Sequence, residues 1–173
     1  MTVMINAPGG TSERTLSVLV DDQPGVLNRV SSLLRRRRFN VDSLNVGASE
    51  QPGMSRMTIA LRGDAAETEQ AVKQLYKLLE VRKVVDLSNE RLISRELALV
   101  KVTATDESRA QIREIAEMFG ARIADVAPRS LVVEAVGSVA RIDSMLEMLR
   151  PYGIKEIART GRVAVARGAG GEG

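Results

Sequence analysis

The stretch Asp21-Asp22-Gln23-Pro24-Gly25-Val26-Leu27 combines acids, a residue without a side chain and the start of an amphipathic segment. A helix start presents N–H groups with no intrahelical acceptor, and the helix dipole adds partial positive charge, so a carboxylate gains roughly 0.3–1 kcal/mol there near a surface. Gly25 leaves room for a ligand beside those amides, Asp22 is placed to meet an ammonium, and Val26 and Leu27 are placed to face an aliphatic side chain. These are the parts that hold a free amino acid. The same D-x-P-G pattern also serves as a plain capped turn, and spacing alone does not separate the two uses.

Missing residue types narrow the chemistry. Of 173 residues none is His, Cys or Trp, which removes the usual neutral-pH general base, the thiolate nucleophile and nitrogen or sulfur metal ligands. No phosphate-cradling GxxxxGK[ST] loop occurs, and Asp42, Glu50 and Asp64 stand at no spacing that requires them to meet. Arg56 alternates with Met57 and Ile59 and is expected as an exposed strand residue; the seven Met are expected as core fillers. Arg35 to Arg38 spread around a helix end, where cations are favoured anyway, and with 2 Phe and 2 Tyr no base-stacking platform emerges.

The elements that must position the loop follow from periodicity. Thr15 to Val20 is β-rich, and Val26, Leu27, Val30, Leu33 and Leu34 fall on one face of a helix, expected from Pro24 to about Arg37 with Pro24 in its first turn and Asp22 or Gln23 as cap. Phe39–Ala48 and Ser55–Leu61 alternate around QPG and predict a hairpin. A second helix carries Ala71, Val72, Leu75, Leu78 and Leu79, before a strand near Val81 to Leu87. The order βαββαβ then repeats. Strands at Leu97–Val102, Ala121–Ala127, Ser130–Val136 and Ile154–Arg159 alternate with helices at Asp106–Phe119 and around Val139–Leu149. The expected fold class is α+β, with two ferredoxin-like βαββαβ domains at 14–88 and 96–167, a linker at 89–95, a flexible arm at 1–13 and a flexible tail at 168–173.

Each half holds about 75 residues, a size at which burial is marginal, so association is expected. The first sheet's face away from its helices carries Ser43, Asn45, Gly47 and Thr58 and is suited either to water or to an interface. Charge is nearly balanced, 25 Lys and Arg against 22 Asp and Glu, which gives no case for nucleic acid. No apolar run approaches the roughly 20 residues of a membrane span, and Met1 to Arg14 lacks a signal-peptide core; a soluble cytoplasmic protein is the expectation.

Read together, TLSVLVDDQPGVLNRVSSLL, FNVDSLNVG and MSRMTIAL resemble the N-terminal ACT domain of the regulatory small subunit of acetolactate synthase (acetohydroxyacid synthase). ELALVKV and the closing ARTGRVAVARG resemble that family's C-terminal domain, so the likeness runs from about Thr15 to Gly168. D-x-P-G-V-L indicates only an ACT domain, whereas FN-x-DSL followed by SRMTI is far more specific. The resemblance implies a non-catalytic homodimer that stimulates a catalytic large subunit in branched-chain amino-acid biosynthesis and confers feedback inhibition by valine. Thiamine diphosphate, magnesium and FAD are then expected on that partner, with none in this chain. It further implies that valine lies between two ACT domains, against Asp22, Gly25, Val26 and Leu27 of one and Asn40 and Val41 of the other. Asp22 stands where relatives often have Asn, and Arg38 where they commonly have the Gly of a helix exit. A left-handed backbone costs a non-Gly residue roughly 1–2 kcal/mol, so a rebuilt turn is expected there. The alternatives are a free-standing tandem amino-acid sensor and, from another class, a small RNA-binding protein.

Overall fold

The computed structural model describes residues 12–168; most of the expected arm at 1–13 and of the expected tail at 168–173 lies outside them, and Ser12 and Glu13, expected in the arm, belong to the first strand. The chain divides into two compact units, one built from 12–93 and 164–168, the other from 94–163.

In the first unit the order is β1 (Ser12–Asp21), α1 (Val26–Arg36), β2 (Asn40–Ala48), β3 (Met54–Gly63), α2 (Ala65–Leu75) and β4 (Val81–Asp86). The strands form an antiparallel sheet ordered β2-β3-β1-β4, the split βαβ arrangement that the repeat predicts. Alternate residues of β1 and β3 point at the helices, so Leu16, Val18, Val20, Met57, Ile59 and Leu61 form a core with Val30 and Leu34 of α1 and Ala71 and Leu75 of α2. Removing the fully buried Leu16 or Leu75 side chain to Ala would cost about 2–5 kcal/mol in transfer and cavity terms. Strand β2 is the sheet edge. Nothing pairs its outer side in the described residues, and Val41 and Val46 are 36% and 42% exposed.

Helix α1 starts two residues later than periodicity suggests. The amide of Val26 donates to the Gln23 carbonyl, so Gln23-Pro24-Gly25-Val26 forms a turn with Pro24 second and Gly25 third, at φ 89°. Gly25, not Asp22 or Gln23, is the N-cap, and no side chain caps the helix. At the other end the turn expected to be rebuilt keeps its form. Arg38 takes φ 58°, its amide donates to Arg35, and the Phe39 amide donates to Leu34, which closes a Schellman motif with Phe39 packed on the Leu34 core.

The second helix ends at Leu75. Leu78 packs on the core from a turn, and Leu79 is 89% exposed, so the helical spacing over-extended this element. The sheet face away from the helices is not bare: Thr58, Ser17 and Thr15 are buried. A final strand, β9 (Val163–Ala166), accounts for part of this, because Ala164 to Ala166 line a small pocket of about 170 Å3 with Ser17, Arg56, Val85 and Leu87. Arg56 is therefore half-covered and donates to Ser17 Oγ at 3.2 Å and to Glu50 at 2.7 Å instead of standing free in water.

The second unit repeats the order with β5 (Leu92–Thr103), α3 (Arg109–Met118), β6 (Arg122–Ala127), β7 (Ser130–Gly137), α4 (Val139–Leu149) and β8 (Ile154–Arg159), in sheet order β6-β7-β5-β8. Its core is Ala98, Val100, Val102, Ile112, Ile142, Met145 and Leu149 with their neighbours. Because β5 already begins at Leu92, the span expected as linker is partly strand. Within this unit Glu96, 4% exposed, accepts two hydrogen bonds from Arg159 at 2.6 and 2.9 Å, and Arg159 also reaches Asp143 at 2.8 Å.

Candidate functional site

Strand β1 and helix α1 place the loop at one end of the first sheet. Its two acids have different roles. Asp21, at the end of β1, accepts a two-pronged contact from Arg82 at 2.6 Å on both oxygens, and that guanidinium holds its carboxyl below the usual carboxylate range. Asp22 is exposed, its amide donates to the Gly53 carbonyl, and its carboxylate accepts from Ser55 Oγ at 3.3 Å. It takes part in no ion pair among the described residues, so it is the acid open to a ligand's ammonium. Arg29, one turn into α1, is paired with Glu80 beside the loop.

Gly25 is required by its backbone more than by space. A Cβ built there would meet Arg29 Nη2 at 3.7 Å, an ordinary contact, but φ 89° disfavours any L side chain. With no side-chain cap on α1, the first-turn amides beyond the turn bond remain turned toward the loop. Val26 is 3% exposed and belongs to the core, so its side chain anchors the helix start and does not face a ligand. Leu27 is 47% exposed and is the apolar surface that the loop offers.

Asn40 and Val41 begin β2, both exposed, and pair with Arg62 and Leu61 of β3. Asp22 meets β3 at Ser55. The separation from Ser55 to Leu61 along the strand is roughly 20 Å at the ordinary rise per residue. Within one copy, therefore, the loop and the start of β2 do not come together. Near Asn40 a groove of about 620 Å3 opens between α1 and β2, floored by Leu34, Phe39 and Leu44 and rimmed by Arg35, Arg38 and Asn40. The run Arg35 to Arg38, weighed above only as a helix end or a nucleic-acid patch, thus contributes two arginines spaced by three to a groove in front of Asn40. Among the described residues no group of three acids gathers as a metal site, and no helix is long and apolar enough to cross a membrane.

A βαββαβ sheet with an uncapped, glycine-bearing β1–α1 loop and an open β2 edge defines the first unit as an ACT-type module. A family model described as an acetohydroxyacid synthase small subunit-like ACT domain matches residues 16–83, and one described as the small subunit of acetolactate synthase matches 95–168. The acetolactate synthase small subunit of Mycolicibacterium smegmatis is 51% identical over 95% of this chain and 96% of its own length. A probable small subunit of Archaeoglobus fulgidus is 46% identical over 90% and 98%. The crystal structure of the Thermotoga maritima acetolactate synthase small subunit superposes with a TM-score of 0.85 at 40% identity, covering 91% of this chain and 98% of that one. The chain belongs to the acetolactate synthase small-subunit family. Membership implies a regulatory role in that synthase complex and a catalytic subunit as partner.

Proposed function

We propose that this chain is the non-catalytic regulatory subunit that activates the acetolactate synthase catalytic subunit and makes it sensitive to valine, held between the ACT modules of a homodimer. The observation that carries the reading is the division of the recognition groups between opposite ends of β3, together with a β2 edge on which no strand of the described residues pairs. If two β2 strands pair antiparallel about a twofold axis centred on Leu44, the start of one β2, at Asn40, lies across from the end of the other, at Gly47 and Ala48, the bulge at Asp42 shifting the match by one residue. Ala48 is the register partner of Ser55, which holds Asp22. One isologous contact thus unites each loop with the other copy's Asn40 and Val41, and forms two sites.

In such a site Asp22 meets the ammonium, the first-turn amides beside Gly25 and the side-chain amide of Asn40 meet the carboxylate, and Leu27 and Val41 flank the isopropyl group. Valine regulates only through its difference in affinity for two arrangements of the pair, with couplings of typically about 1–3 kcal/mol. The thiamine diphosphate, magnesium and FAD belong to the catalytic partner.

Reconstitution tests this. Acetolactate formation by the catalytic subunit should rise when this chain is added and then fall along a valine titration. Turnover indifferent to the chain, or a stimulated complex indifferent to valine, overturns the corresponding half of the proposal.

A further inference from the structure

We infer that Arg35 and Arg38 set the selectivity of the effector pocket for an intact α-carboxylate, a role that rests on the two-copy pocket proposed above. The loop side of that pocket has an electrostatic shortfall. It offers a carboxylate, Asp22, and only the partial charges of uncapped amides for a ligand that carries one full charge of each sign. The strand side offers the complement. Arg35 and Arg38 line the same groove as Asn40, over an apolar floor that includes Leu34 and Phe39.

Neither guanidinium is committed elsewhere among the described residues: no ion pair or hydrogen bond engages the side chain of either one. Asp64 and Glu67 line a neighbouring groove together with Arg38. The two acids are occupied by each other's backbone amides in the capping box of α2, at 2.8 and 2.9 Å. Arg38 is also held in place. Its left-handed backbone is closed on both sides by the Arg38 and Phe39 amide bonds, so its side chain leaves the helix end at a defined point two residues before Asn40. The antiparallel pairing that carries Asn40 to the other copy's loop carries this cationic rim with it, opposite Asp22. The result is a bipolar pocket, acidic at one wall and basic at the other, that matches a zwitterion and discriminates against an amino acid whose carboxyl is blocked.

The test is calorimetric titration of the full-length chain with valine and with valinamide, in parallel with sedimentation to record the dimer fraction. The wild-type chain should favour valine by at least about tenfold, the order that a charge-assisted hydrogen bond supplies. Arg35→Gln with Arg38→Gln should remove most of that preference by weakening valine alone, and Arg35→Lys with Arg38→Lys should restore much of it. A preference unchanged in the dimeric Gln variant overturns the role of the arginines while leaving the pocket intact. A wild-type chain that binds neither compound overturns the pocket itself. A Gln variant that is monomeric assigns the pair to assembly and overturns the selectivity role.

Discussion

At the residue scale, the two ends of α1 contain its two left-handed residues, and they call for opposite substitutions. Gly25→Asp places a carboxylate where the ligand's own would lie; Asp is among the residues that tolerate φ near +60–90°, and Arg29 is close enough to receive it, so the variant should fold. Its complex should be active and insensitive to valine, and wild-type inhibition in that complex would remove the loop from the site. Asn40→Ala should raise the valine concentration needed for half-inhibition without abolishing inhibition, read from the same titration. Arg38→Gly relieves a strain of about 1–2 kcal/mol and loses part of it to unfolded-chain entropy, so a net gain of about 0.5–1 kcal/mol is expected in urea unfolding. A loss would mean that the Arg38 side chain stabilises more than its backbone costs. Sequence spacing singled out Asp22, Gly25 and Leu27 because their types are chemically distinctive, whereas Asn40 and Val41 came only from the family resemblance. Spacing placed Val26 in the pocket because a buried and a ligand-facing aliphatic residue are indistinguishable by type.

At the element scale, β2 is the pivot. With the twofold axis at Leu44, Val46 lies two residues from the axis on the open edge, so Val46→Asp puts a charge into the seam twice per dimer and Val46→Leu keeps it apolar. Sedimentation should show the dimer weakened by the first and retained by the second; equal effects would exclude this seam. The second unit repeats the fold without repeating the pocket. Its equivalent turn has no glycine, and Thr105 and Ser108 are bonded to each other's polar groups; α3 shares with α1 the lack of a side-chain cap, so the difference lies in the turn before the helix. All eight strands and four helices of the two repeats were legible from hydrophobic alternation. The start of α1 was not, because Pro24 suits the second position of a turn as well as a first helical turn. Strand β9 was missed because four residues of VAVA give too short a pattern to separate from a tail.

At the scale of the whole molecule, titration and buried charge set the stability profile. Asp21, Glu50 and Glu69 all titrate below their ordinary values: Asp21 through Arg82, Glu50 through its own backbone amide and then Arg56, and Glu69 through Lys73. Lowered carboxyls stabilise the fold fully above their unfolded values near 4, and that contribution is lost as the pH falls through the lower folded ones. With no His in the chain, the melting temperature should be flat from about pH 6 to 8 and fall below about pH 4, and Arg82→Ala should flatten part of that acid limb. Arg159 is held protonated by Glu96 and Asp143. Arg159→Met strands the buried Glu96 carboxylate and should cost about 3 kcal/mol, most of it recovered by Glu96→Leu in the same chain. No recovery would show that packing, and not the stranded charge, sets the loss.

The central claim is that each valine site takes its loop from one copy and its strand from the other. Mixing resolves it directly. Gly25→Asp and Asn40→Asp chains are each expected to bind no valine, whereas a mixed dimer pairs the intact loop of one with the intact strand of the other and forms one working site. Equal amounts unfolded and refolded together should recover about a quarter of the wild-type binding capacity, the share expected from random pairing in an isologous dimer. Capacity that stays at zero after mixing, with mixed dimers present, would contradict a shared site and return the pocket to a single chain.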